Sequence, residues 1–163
     1  PGIWKHEVEP YVPQALREFR YGTYVSGQSA WDDTPLYLWD EWNAYLNGGE
    51  AAISLHDEGM WNDGWRDQSG VIEFVAYGLA VGLAVEELDA GYFASNGQFK
   101  AMLAYLTRRS FELHRRFAGI DDFQFSTSDA LYQTLRSQSA AAPLRAFLIR
   151  TWGQAFHDEV LDL

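Results

Sequence analysis

VIEFVAYGLAVGLAVEEL, residues 71–88, is the stretch on which the fold turns. Its apolar run, Phe74 to Val85, lies between Glu73 and Glu86 and falls far short of the roughly 20 residues a membrane-spanning helix needs. The run therefore predicts a helix buried within a globular protein. Ala76, Ala80 and Ala84 fall on one stripe of that helix and Gly78 and Gly82 on another. Each interior glycine costs a helix about 1 kcal/mol, so the pair predicts a neighbouring helix in close approach. Ser69 stands where an N-cap would be.

Outward from this centre, helical periodicity dominates. Val12, Ala15, Leu16 and Phe19 predict a helix over Val12 to Arg20, and YGTYVSGQSAWDD, residues 21–33, a loop. Thr34 as N-cap, Pro35 at the first helical position and Gly48-Gly49 beyond the end bound a second helix. A shorter helix is expected over Glu50 to His56, then a loop over Met60 to Gly70. Beyond the central helix the pattern predicts helices over Phe99 to Phe117, Ser126 to Gln138 and Pro143 to Trp152. The expectation is an all-α, single-domain bundle, 1–163, of six or seven helices.

The chain has no cysteine, which excludes disulfides, cysteine zinc sites, iron–sulfur clusters and thiol nucleophiles. It opens PGIWKHEVEP, without a cationic start followed by an apolar run, so no signal peptide is expected in it. Of its net charge of −11, residues 1–99 hold 16 acidic and 4 basic groups, and the remainder 7 and 8. Such a field repels phosphate backbones, which disfavours nucleic acid as a partner and favours cations or basic partners for the first half.

Two sets of residues bear on chemistry. On the helix TPLYLWDEWNAYLNGG, Glu41 has Tyr37, Leu38, Ala44 and Tyr45 three or four residues away, so a carboxylate stands within an apolar face. Such a group must find a cation, bind a metal or hold a proton; Arg17 and Arg20 are the expected cations. The second set is His6-Glu7 in HEVEP. A histidine pair four residues apart, with a glutamate after the first, binds zinc and supplies a general base. Here position 10, where the second histidine would stand, is Pro10.

Residues 6–49, with His6-Glu7 followed some tens of residues later by Glu41 on a second helix, resemble the corresponding segment of gluzincin-type zinc metallopeptidase domains. The resemblance implies zinc as cofactor, His6 and Glu41 as metal ligands, and Glu7 as general base, in a motif broken at Pro10. It is equally what a scaffold that has lost its catalysis would retain.

Elsewhere, His56-Asp57-Glu58 and His157-Asp158-Glu159 cannot converge on one ion, because consecutive helical residues point about 100° apart. His114, with Phe111 and Phe117 as helical neighbours, reads as a satisfied core or boundary histidine rather than a ligand. Glu112 lies three or four residues from Arg108, Arg109, Arg115 and Arg116, which predicts a self-paired, solvated face. No nucleophile elbow, P-loop or dinucleotide fingerprint is present. Trp31, Trp61 and Trp65, with neighbouring Asp or Asn, fall in predicted loops and suit recognition of a protein, peptide or glycan. The function expected is that of a non-catalytic binding or assembly domain, with a zinc-peptidase-like hydrolase and a glycan hydrolase using Glu41 as general acid as alternatives.

Overall fold

A computed structural model describes residues 1–62, 69–124 and 126–163. Among them are seven α-helices and no strand: α1 (Tyr37–Asp57), α2 (Gly70–Leu88), α3 (Ala90–Ser95), α4 (Gly97–Ala118), α5 (Ser126–Ser137), α6 (Ala142–Trp152) and α7 (Gln154–Leu161). The protein is an all-α single domain, as its periodicity predicts. No helix among the described residues is long and apolar enough to cross a membrane.

α2 is the centre. Every residue from Gly70 to Val85 is buried, because α1, α3, α4, α5, α6 and the N-terminal 3-10 helix Lys5–Tyr11 pack around it. The glycines mark the closest approaches. A Cβ on Gly78 would sit 2.1 Å from the Trp42 ring of α1, and one on Gly82 would sit 2.5 Å from Leu103 of α4 and 2.7 Å from Phe147 of α6. Trp42 is wholly buried and donates its indole N–H to Ser110 Oγ of α4 at 2.8 Å.

Gly48-Gly49 do not end α1, which runs on through the stretch expected as a separate short helix. Gly49 is buried under α4, where a Cβ would meet Leu113 and Phe117 at 2.8 and 2.9 Å. Its small size serves interhelical contact, and that packing outweighs the weak helix preference of the pair. Thr34 does not cap α1 either: its hydroxyl donates to Asp33 at 3.2 Å, and the helix begins two residues after Pro35. Ser69 makes no cap hydrogen bond; its Oγ accepts from Arg20 at 3.1 Å.

The helix expected over Val12 to Arg20 is replaced by the 3-10 helices Lys5–Tyr11 and Gln14–Leu16. Pro10 and Pro13 lack the N–H that a continuous α-helix requires. Val12 and Leu16 are buried as expected, whereas Ala15 and Phe19 face solvent. Within residues 21–33 the chain makes a π-helical turn, Tyr21–Val25, and a 3-10 turn, Ser29–Trp31. Two short helices without a strong sequence signal complete the bundle. α3 is capped by Asp89 and followed directly by Asn96 as the cap of α4, while Gly153, at φ 91°, turns α6 into α7.

Candidate functional site

The N-terminal end of α1 carries an aromatic surface, fixed from below by a buried amine. Lys5 is 2 % exposed and donates from Nζ to the carbonyl oxygens of Val25 and, at 2.7 Å, of Gly27. Its own N–H donates to the Asp32 carbonyl at 2.7 Å. His6 donates its backbone N–H to Asp32 Oδ1 at 2.9 Å and pairs through Nδ1 with Oδ2 at 2.6 Å. Residues 21–33 are thus held at both ends against the N-terminal turn.

On this support Trp31 stacks over Tyr37, the first residue of α1, with ring centroids 5.7 Å apart and planes within 9°. Trp31 remains 49 % exposed. Tyr24 stands edge-on to Tyr45 at 6.1 Å and to Phe74 at 5.3 Å, and its hydroxyl lies 3.3 Å from that of Tyr45.

Glu41 lies one turn beyond Tyr37 and is half-buried, with no hydrogen bond or ion pair among the described residues. Burial, and secondarily the charge of Asp40, raise its carboxyl above the ordinary value. The group also acts on the surrounding phenols. Burial and the Glu41 charge push the Tyr37 hydroxyl up to about 12, while hydrogen bonding to Tyr45, burial and nearby charge raise that of Tyr24. The Tyr37 hydroxyl is buried without a hydrogen-bond partner among the described residues. An uncompensated carboxylate beside aromatic faces can receive a cation, and in its protonated form it can donate a hydrogen bond.

The arginine expected beside Glu41 is elsewhere. Arg17 donates to the carbonyl oxygens of Val12 and Glu9, each at 3.0 Å. Arg20 pairs with Glu73 of α2: Nη1 to Oε1 is 2.6 Å, the Arg20 N–H reaches Oε2 at 2.9 Å, and Tyr77 donates to the same oxygen at 3.2 Å. Among the described residues the deeply buried carboxylate is Glu73.

Glu7 accepts the Trp4 N–H at 2.7 Å and so closes the first turn of the chain, and Pro10 lies within that same 3-10 helix. Among the described residues no group of three or more His, Asp or Glu is arranged to hold a metal ion. Trp61 is half-buried, with its ring edge-on to Phe123 at 4.7 Å. Phe123 also meets His56, near the end of α1. Trp31 and Trp61 thus sit at opposite ends of a 21-residue helix, about 30 Å apart, and do not form one surface. Trp65 lies outside the described residues.

Other pairings also differ from the expected ones. His56 and His157 each meet the following aspartate, at 3.5 and 2.7 Å. Arg108 pairs with Glu159 of α7 at 2.5 Å and Arg109 with Glu50 of α1 at 2.9 Å, so these arginines tie helices together rather than pairing with Glu112. His114 is buried, as expected, but contrary to expectation it makes no hydrogen bond among the described residues; Asp129 Oδ1 lies 3.8 Å from its Nε2.

Tyr37, Glu41 and Tyr45 recur every four residues, and their common stripe is visible in the sequence. Nothing there announces Tyr24, which arrives through the π-helical turn, or the buried Lys5. Compared with families of known proteins, with curated proteins and with solved structures, the chain matches none.

Proposed function

We propose that this protein is a non-catalytic binding domain and that the Trp31–Tyr37–Glu41 end of the bundle receives a cationic side chain of a protein or peptide partner. The reading rests on one observation: a half-buried carboxylate without a counter-charge among the described residues stands one helical turn from Tyr37, the ring over which the exposed Trp31 is stacked. A guanidinium or ammonium entering there donates a charge-assisted hydrogen bond to Glu41 and gains an attraction to the ring face of Trp31. The acidic first half supplies long-range steering of the same sign. The raised carboxyl of Glu41 also favours a second reading, a glycan hydrolase with Glu41 as general acid, which needs another carboxylate about 5–10 Å away. The zinc-peptidase-like reading rests on His6 and Glu41, but it must draw its general base from Glu7, which caps the Trp4 N–H.

Titration of a lysine- and arginine-rich peptide against the parent protein tests the proposal. Binding should weaken as salt is raised, fall about tenfold in Glu41→Gln, and fall further when Trp31→Ala is added. Equal binding by parent and Glu41→Gln would refute it. Hydrolysis of an oligosaccharide lost in Glu41→Gln would select the second reading, and stoichiometric zinc lost in Glu41→Ala the peptidase-like one.

A further inference from the structure

A second candidate site lies at the opposite end of the molecule. Between the C-terminal part of α4, the turn Asp121–Phe123 and the first turn of α5 is a cavity of about 240 Å³. Phe117 and Phe123, whose rings meet edge-on at 5.5 Å, and Ala118 provide its apolar wall. His114, Ser128, Asp129 and Gln124 provide its polar side.

The polar side has unused hydrogen-bonding capacity. Ser128 is 5 % exposed, and its buried hydroxyl has no hydrogen-bond partner among the described residues. The imidazole of His114 is likewise buried and makes no hydrogen bond among the described residues. Its Nε2 stands 3.8 Å from Asp129 Oδ1, beyond hydrogen-bond reach. Burial lowers the histidine below its ordinary value against the opposing charge of Asp129, so the ring is neutral at pH 7. The Gln124 amide is already engaged with Ala118 O and Asp121 Oδ1, each at 3.3 Å.

We infer that this cavity binds a small primary ammonium compound carrying an aryl or short alkyl body. A carboxylate accepts hydrogen bonds only, whereas a hydroxyl and a neutral imidazole can each accept, so the three together call for a ligand rich in donors. An ammonium group brings three. A carboxylate or phosphate ligand would meet Asp129 head-on. The Phe117–Phe123 wall takes the apolar body, and the volume lies below that of drug-sized pockets, which limits the ligand to a single ring or its equivalent. Phe123 is in contact with His56 near the end of α1, so the cavity is about 30 Å from Trp31 and independent of the recognition surface proposed above.

The test compares phenethylamine, 2-phenylethanol and phenylacetate as probes, by calorimetry and ligand-observed NMR. The parent, Asp129→Asn, Ala118→Trp and Glu41→Gln proteins are compared; residues 118 and 129 are exposed, so their replacement spares the fold. At the cavity the amine should bind at one equivalent, retained in Glu41→Gln, with the alcohol about tenfold weaker and the acid not bound. Asp129→Asn should bring the amine to the level of the alcohol, Ala118→Trp should remove both, and Glu41→Gln should change neither. The inference is overturned if no probe binds at about 10 mM, if the acid matches the amine, or if Asp129→Asn or Ala118→Trp leaves the amine unaffected. Loss of amine binding in Glu41→Gln would overturn it too, by placing the amine at the Trp31 end.

Discussion

Replacing Arg20 with methionine, read through a double-variant cycle with Glu73, tests the energetics of the buried ion pair. The Arg20 and Glu73 side chains are 8 % and 2 % exposed, and the pair is joined at 2.6 Å. Methionine fills part of the space but removes the positive charge, leaving the Glu73 carboxylate, among the described residues, with the backbone N–H of residue 20 and the Tyr77 hydroxyl. Breaking a buried pair on one side costs about 3–5 kcal/mol. The guanidinium also lies 4.8 Å from the Tyr45 ring centroid, a contact worth about 0.5–1 kcal/mol that is lost with it. At about 2–4 °C per kcal/mol for a chain of this size, the melting temperature should fall by about 7–24 °C. Arg20→Met/Glu73→Gln, which removes the stranded charge while keeping an acceptor for the N–H, should recover about half of the loss. Urea titrations of parent, both single variants and the double variant give the coupling energy directly. A cost below about 1 kcal/mol for Arg20→Met, or a double variant no more stable than Arg20→Met alone, would refute the assignment of Glu73 as the carboxylate that this arginine sustains.

Gly78→Ala should destabilise by about 1–3 kcal/mol in the same titrations, although alanine is the better helix former, because its Cβ would have to displace the Trp42 ring. A stability gain would mean that α1 and α2 are less closely packed than described. Glu41→Gln should stabilise at neutral pH. Because the carboxyl holds its proton more tightly in the folded state, it adds stability in acid and withdraws it as pH rises from the ordinary carboxylate value through the raised one. The variant's advantage should therefore appear above about pH 5 and vanish below about pH 4, and thermal melts across that range would detect its absence.

The fold was legible where one residue type serves one purpose. The apolar run of α2 and its two glycines state both burial and close approach, and the bounds of α4, α5 and α6 follow the periodicity to within two residues. Gly48-Gly49 misled because a glycine pair signals a helix end as readily as a packing contact, and only the position of Leu113 and Phe117 decides between them. Arg20 was foreseeable as a buried cation, but its partner was not. Glu41 and Glu73 both sit in apolar surroundings along the chain, and which one meets Arg20 depends on the path of residues 12–25, interrupted by proline and closed by a π-helical turn. The aromatic stripe of Tyr37 and Tyr45 was readable, whereas Tyr24 and Lys5 reach the site through irregular backbone that periodicity does not describe. The cavity beside His114 gave no sequence signal, since Ser128 reads as an ordinary first-turn residue of α5.

The enclosure of α2 has a consequence for synthesis. A helix buried on every side is covered partly by segments made after it: Phe147, which closes over Gly82, follows the end of α2 by about 60 residues. At ribosomal rates of about 5–20 residues per second, that apolar surface spends about 3–12 s without its cover. A nascent chain of this protein should therefore be a client for holdase chaperones during that interval, and chains stalled before α6 should be far more prone to aggregate than chains stalled beyond it.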